Sequence, residues 1–224
     1  MSSIFDPSCR RCPRLAAFLD SVKHQNPDYY CKPVPPFGDT DARLLIVGLA
    51  PGMHGANRTG RPFTGDHAGI LLYGTLHKLG FASAATSVDA GDGLRLEDAR
   101  ITNSVKCLPP GNKPLPLEIK TCNAYLAAEL AQSPQVKVVL ALGAIAHAAV
   151  LRAVGLKAGD RKFAHGAEHA LEGGRILLDS YHCSRYNTQT RRLTAAMFED
   201  IMRRAQGLLA AREAQGNDHR GIQP

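Results

Sequence analysis

Nowhere in these 224 residues do apolar side chains run to the roughly 18 in a row that a membrane span needs. The opening residues MSSIFDPSC also lack the charged-then-apolar plan of a secretion signal. The expectation is a soluble, cytoplasmic protein without a membrane partner. The G-x-x-x-x-G-K-[ST] pattern of a triphosphate-binding loop is missing too, which removes the best support for a nucleotide triphosphatase. There is no internal repeat. The only stretch that reads as low in complexity is the polar tail from about Glu213 to Pro224, expected to be disordered.

What is present suffices for one substantial core: 44% of the residues are hydrophobic, and residues 1–212 read as a single domain. Lys and Arg number 27 against 20 Asp and Glu, a net charge of +7 that favours a polyanionic partner. Leu15, Phe18, Leu19 and Val22 recur at helical spacing. Pro27, Pro33, Pro35, Pro36 and Gly38 then break regular structure between Asn26 and Asp41. Four apolar runs read as buried strands: 44–49, 100–105, 136–142 and 175–179. Helical patterns follow around 70–79, 117–130, 144–154 and 190–211. Continuous apolar strands alternating with helices predict an α/β fold, a three-layer α/β/α arrangement around a mostly parallel four-stranded sheet. In such sheets ligands bind beyond the carboxyl ends of the strands. The unusual loops lie there: GLAPG at 48–52, KCLPPGN at 106–112 and YHCSR at 181–185.

Six cysteines in a chain of this length, expected in a reducing compartment, suggest metal ligands more than disulfides. Cys9 and Cys12 form a C-x2-C pair, and Cys107 and Cys122 a wider one. Four sulfurs match either tetrahedral zinc or an iron-sulfur cluster, and spacing does not choose between them. Cys31 and Cys183 are left over.

The stretch GLAPGMHGANRTGRPFTGD, Gly48 to Asp66, holds five glycines and two prolines, a loop whose backbone can approach a ligand closely. It resembles motif one of the uracil-DNA glycosylase superfamily, in the longer form of the iron-sulfur family 5, or type B. Also similar, in order, are ITNSVKCLPP from Ile101, the following Cys122, and SYHCSRYNTQTRRLT from Ser180. The resemblance runs from Cys9 to about Leu208. It implies the superfamily's fold and a monofunctional enzyme that flips uracil, and with it hypoxanthine or other deaminated bases, out of DNA and hydrolyses the N-glycosidic bond.

Residue by residue, Gly48, Leu49, Gly52, Phe63 and Asn103 would bind the base. Phe63 would be its aromatic platform, and Asn103 offers its edge a donor and an acceptor. His182 would stabilise the charge leaving with the base. Asp66 would orient water or stabilise the cationic sugar, although a carboxylate there also suits a helix cap. Ser184, Arg185, Tyr186 and Asn187 would meet DNA, with Tyr186 near the place of the wedge that fills the flipped nucleotide's gap. Cys9, Cys12, Cys107 and Cys122 would hold a structural [4Fe-4S] cluster. Two positions depart from related patterns: Leu49 replaces the polar residue that several families carry after the first glycine, and Cys183 replaces the proline that usually follows the histidine. No lysine is placed for Schiff-base chemistry. The expected working form is a monomer, associated with the nucleoid through DNA. The competing readings are a non-catalytic iron-sulfur nucleic-acid-binding protein on the same fold, and a zinc-stabilised enzyme acting on a small molecule.

Overall fold

The computed structural model describes residues 5–218. After α1 (Pro13–Gln25) come strands β1 (Phe37–Gly38) and β2 (Leu44–Gly48), the short helix α2 (Ala56–Thr59), α3 (His67–Lys78) and β3 (Ala99–Asn103). The second half runs α4 (Pro116–Gln132), β4 (Val138–Leu142), α5 (Ala144–Ala153), β5 (Glu168–Ala170), β6 (Ile176–Ser180), α6 (Arg185–Gln189) and α7 (Ala195–Asp218).

The sheet order is β1-β3-β2-β4-β6-β5. β3, β2, β4 and β6 are parallel, as expected, while β1 and β5 add antiparallel edges. The sheet therefore has six strands rather than four. The two extra strands are two and three residues long, too short for an alternation to register, and β1 sits in the proline-rich stretch expected to be irregular. The helix expected from Thr190 begins instead at Ala195, after the short α6 and a break. α7 continues through the expected tail boundary at Glu213 as far as Asp218, and residues 219–224 lie outside the described residues. Among the described residues no helix is long and apolar enough to cross a membrane.

Strand geometry explains the layering. Alternate residues point to opposite faces, so Leu44, Ile46, Val138, Leu140 and Leu178 pack against α3 and α7, whose Leu72, Leu76, Phe198, Ile201 and Met202 complete one core. Leu45, Val47, Val139, Ala141 and Leu177 face the other way, toward Leu126 and Leu130 of α4 and Ala149 and Val150 of α5. Both faces are buried, which is why the strands read as unbroken apolar runs. β2 lies between β3 and β4, and the chain leaves it for β3 on one side and later enters β4 on the other. That switch point opens a crevice at the carboxyl ends of β2 and β4.

Candidate active site

A cleft of about 480 Å³ occupies this crevice, lined among others by Leu49, Ala50, Gly52, Asp66, Gly143 and His182. Its position follows from the strands: Gly48 is the last residue of β2, Asn103 pairs with it across β3, and His182 follows the end of β6.

Gly48 is a glycine because of what crowds it. A Cβ there would stand 2.4 Å from Asn103 Oδ1 and 2.6 Å from the Phe63 ring, so any side chain would push apart the two residues expected to recognise a base. Asn103 is 3% exposed, and its buried Oδ1 has no hydrogen-bond partner among the described residues. Buried polar atoms are rarely left unpaired, and one that is costs about 1–3 kcal/mol. Phe63 holds a left-handed backbone at φ 55°, strained for a bulky residue. Tyr73 helps to hold it there by donating to the carbonyl of neighbouring Pro62 at 2.7 Å. The Phe63 ring lies near-parallel to that of His182, with centroids 5.9 Å apart.

The inner nitrogen of His182, Nδ1, is sealed from water and also lacks a partner among the described residues. Burial pushes the ring's pKa down to about 4, so the imidazole is neutral near pH 7. Asp66 does cap α3, Oδ1 accepting from the Gly69 amide at 2.9 Å. Its other oxygen approaches Gly52 and Gly55, where a Cβ would come within 3.6 and 2.6 Å. Burial raises the Asp66 carboxyl above its ordinary range, against the pull of the Gly69 and Ala68 amides.

The structure thus brings Gly48, Phe63, Asn103 and His182 into contact, with Leu49, Gly52 and Asp66 on the adjoining wall. Phe63 and Asn103 sit behind the open cleft rather than in its lining. Motif two divides. Arg185 reaches the cleft and Tyr186 is 70% exposed. Ser184 lines the cleft while its hydroxyl caps α6, accepting from the Asn187 amide at 3.4 Å, and Asn187 Nδ2 donates to the His182 carbonyl at 2.8 Å. Cys183 is fully buried in the core, with burial pushing its thiol up to about 12. It anchors the loop by packing, where the related pattern uses proline. Asn112, Ala144 and Ile145 also line the cleft and were not singled out in the sequence. They are ordinary residues marked only by following β3 and β4, and that placement was the one signal available.

Cys9, Cys12, Cys107 and Cys122 line a second pocket with Arg11, Lys106 and Tyr125, beneath α1. Burial, then the neighbouring Cys122, Cys9 and Cys12, push Cys107 up to about 12, the mark of thiols facing one another. A single tetrahedral zinc would hold its sulfurs about 3.8 Å apart, given bonds of about 2.3 Å. Among the described residues, the ligand triple found within 4.8 Å is not drawn from these four but from His147, His169 and Asp179. Among the described residues, no such triple is found within the quartet. Cys31 is buried in the adjoining apolar cluster with Leu19, Val22 and Leu108, its sulfur accepting from Asn57 Nδ2 at 3.4 Å.

A parallel sheet with a glycine-rich first loop, an amide oxygen without a partner among the described residues and a neutral imidazole at one crevice defines the class, an α/β protein with its candidate site at the carboxyl ends of the strands. Within that class the chain belongs to the uracil DNA glycosylase superfamily, whose sequence model matches residues 35–206. It is 48% identical over 206 residues to a type-5 uracil-DNA glycosylase of Thermus thermophilus, covering 90% of this chain and 94% of the relative. It is 44% identical to one of Mycobacterium bovis (89% and 78% covered) and 41% identical to one of Pyrobaculum aerophilum (88% of each). Type-4 uracil-DNA glycosylases match over shorter spans, as in Thermotoga maritima at 38% identity over 49% of each chain.

Proposed function

We propose that this protein excises uracil from DNA by hydrolysing the N-glycosidic bond and leaving an abasic site, with hypoxanthine and other deaminated bases within its range. The observation that carries this reading is the pair of buried, unpartnered polar atoms, Asn103 Oδ1 and His182 Nδ1, beside Phe63 at one cleft. A flipped base supplies an N–H for the amide oxygen of Asn103 and a ring to stack on Phe63.

Bond breaking leaves an electron pair on the base and positive charge on the sugar. His182, neutral because it is buried, donates from Nε2 to a base oxygen as the negative charge develops. Leu49 offers no polar group, so activation of water falls to Asp66 and to the amides around Gly48 and Gly52. Water oxygen bonds to the sugar carbon, and its proton passes to Asp66 or to solvent. Arg185 and Tyr186, exposed at the rim, meet the DNA backbone and the gap left by the base. Ser184 and Asn187 act by shaping the loop.

The cysteine quartet suits a [4Fe-4S] cluster by its four thiols lining one pocket. When bound, such a cluster serves structurally, tying the N-terminal segment to the loop that follows Asn103. The enzyme works as a monomer, at the nucleoid where its substrate lies.

Purified protein incubated with strands carrying uracil or hypoxanthine, then heated in alkali, tests this directly. Strand breaks at uracil that form far more slowly, though still measurably, in His182→Ala are expected. Binding to uracil-containing DNA with no base release would instead favour the non-catalytic reading.

A further inference from the structure

Three residues before His182, β6 carries a charged group that the chemistry above leaves unused. Asp179 is fully buried, accepting from His147 Nδ1 at 2.8 Å through one oxygen and from His169 Nε2 at 3.1 Å through the other. His147, one turn into α5, points its remaining nitrogen at the Arg161 carbonyl, 3.0 Å away. One ring nitrogen of His147 thus faces a buried carboxylate and the other a backbone carbonyl, so both ends of the ring are held. The three ligand atoms lie within 4.8 Å of one another, close enough for an ion, yet each nitrogen-to-oxygen separation to Asp179 is that of a shared proton.

What this hydrogen-bonded pair fastens is the approach to His182. The loop 160–167 hangs from Asp179: the Gly166 amide donates to its carbonyl at 2.8 Å, its own amide donates to Ala167 at 2.9 Å, and Ala164 N–H reaches its carboxylate at 3.4 Å. That loop in turn grips Tyr181, whose amide donates to His165 Nδ1 at 3.1 Å and whose ring stacks on His165 at 4.9 Å. Phe163 packs edge-on against His147 and tilts against Tyr181. From the α5 side, the Gly143 amide donates to the Ser180 carbonyl at 2.8 Å. A Cβ on Gly143 would lie 3.5 Å from that of His182.

We propose that His147 and Asp179 are positioning residues for base excision: their buried hydrogen bond clamps α5 and the 160–167 loop onto the end of β6 and so fixes where His182 meets the leaving base. This rests on the reading of His182 given above. The clamp touches no substrate, so it acts on the chemical step and leaves substrate affinity alone.

The experiment is a mutant cycle on the full-length, cluster-containing protein, with uracil-DNA as substrate. His147→Gln keeps a donor for Asp179 but gives up the Arg161 carbonyl, and Asp179→Asn removes the charge. Each is expected to lower kcat about tenfold or more with KM within about threefold, while in a His182→Ala background His147→Gln changes the rate less than about twofold. Full additivity with His182→Ala, or a raised KM with unchanged kcat, overturns the proposal. Should Asp179→Asn fail to fold, His147→Gln with its native melt verified decides alone. A wild-type rate in His182→Ala itself is a separate result, and it rejects the reading of His182 rather than the additivity of the clamp. A wild-type kcat lost on dialysis against a chelator and restored by zinc would replace the shared proton with a metal ion.

Discussion

Asp66 holds two jobs in one side chain, capping α3 with one oxygen and facing the glycines of motif one with the other. They can be separated because asparagine caps a helix about as well as aspartate, whereas alanine costs about 1 kcal/mol. Asp66→Asn should therefore melt like the wild type yet lose most of its uracil release, and Asp66→Ala should lose both. Full activity in Asp66→Asn would leave only the cap. His182 makes a second, thermodynamic prediction. Its folded pKa of about 4 lies below the ordinary 6.5, so between those values the unfolded chain takes up a proton that the folded one excludes. Stability is accordingly intact above about pH 6.5 and drains away as pH falls toward 4, by roughly 3 kcal/mol for this group. Asp66, shifted upward, contributes with the opposite sign at the acid end of that range. The difference in urea-melt free energy between wild type and His182→Asn across pH 4–7 isolates the histidine, and a flat difference would mean the ring is solvated.

At the scale of elements, the motif-one loop is held from outside by Arg61, itself 5% exposed. It donates to Asp92 at 2.7 Å, to Ser87 at 3.0 Å and to the Ala90 carbonyl at 2.8 Å, and lies over the Phe37 ring of β1 at 4.4 Å. Removing one partner of a buried pair strands the other, so Arg61→Ala should cost about 3 kcal/mol in a denaturant melt. A loss below about 1 kcal/mol would show that the 87–92 segment contributes little. This brace was invisible in the sequence because Arg61 and Asp92 are charged residues 31 apart with nothing local to pair them. The parallel strands were legible because burial on both faces leaves continuous apolar runs such as 44–47 and 138–142. β1 and β5 were not, being edge strands defined by their neighbours' hydrogen bonds. The candidate site was legible where glycine and histidine mark strand ends, at Gly48 and His182. It was opaque at Ser184 and Asn187, whose side chains could serve phosphate or backbone equally until the turn of α6 directs Asn187 to the His182 carbonyl.

Across the whole molecule, two features join parts far apart in sequence. The quartet gathers residues 9–12, which lead into α1, with residues 107 and 122 behind the strand that presents Asn103. Cys107→Ser should bleach the visible absorbance of the purified protein and lower its Tm, while the side chains at the cleft keep their places. An unchanged spectrum would remove Cys107 from the ligand set. The second feature is the excess of seven positive charges, which draws any polyanion and does not by itself say where it docks. Arg185, exposed at the rim beside His182, is where the cleft and that charge meet. Each phosphate neutralised releases counterions, so the logarithm of affinity falls with the logarithm of salt with a slope of about 0.9 per contact on duplex DNA. Arg185→Ala should reduce that slope by about one and weaken binding to uracil-containing and ordinary strands alike, because a phosphate contact carries no base identity. A slope left unchanged, or a loss confined to uracil-containing strands, would move Arg185 from the backbone to the base.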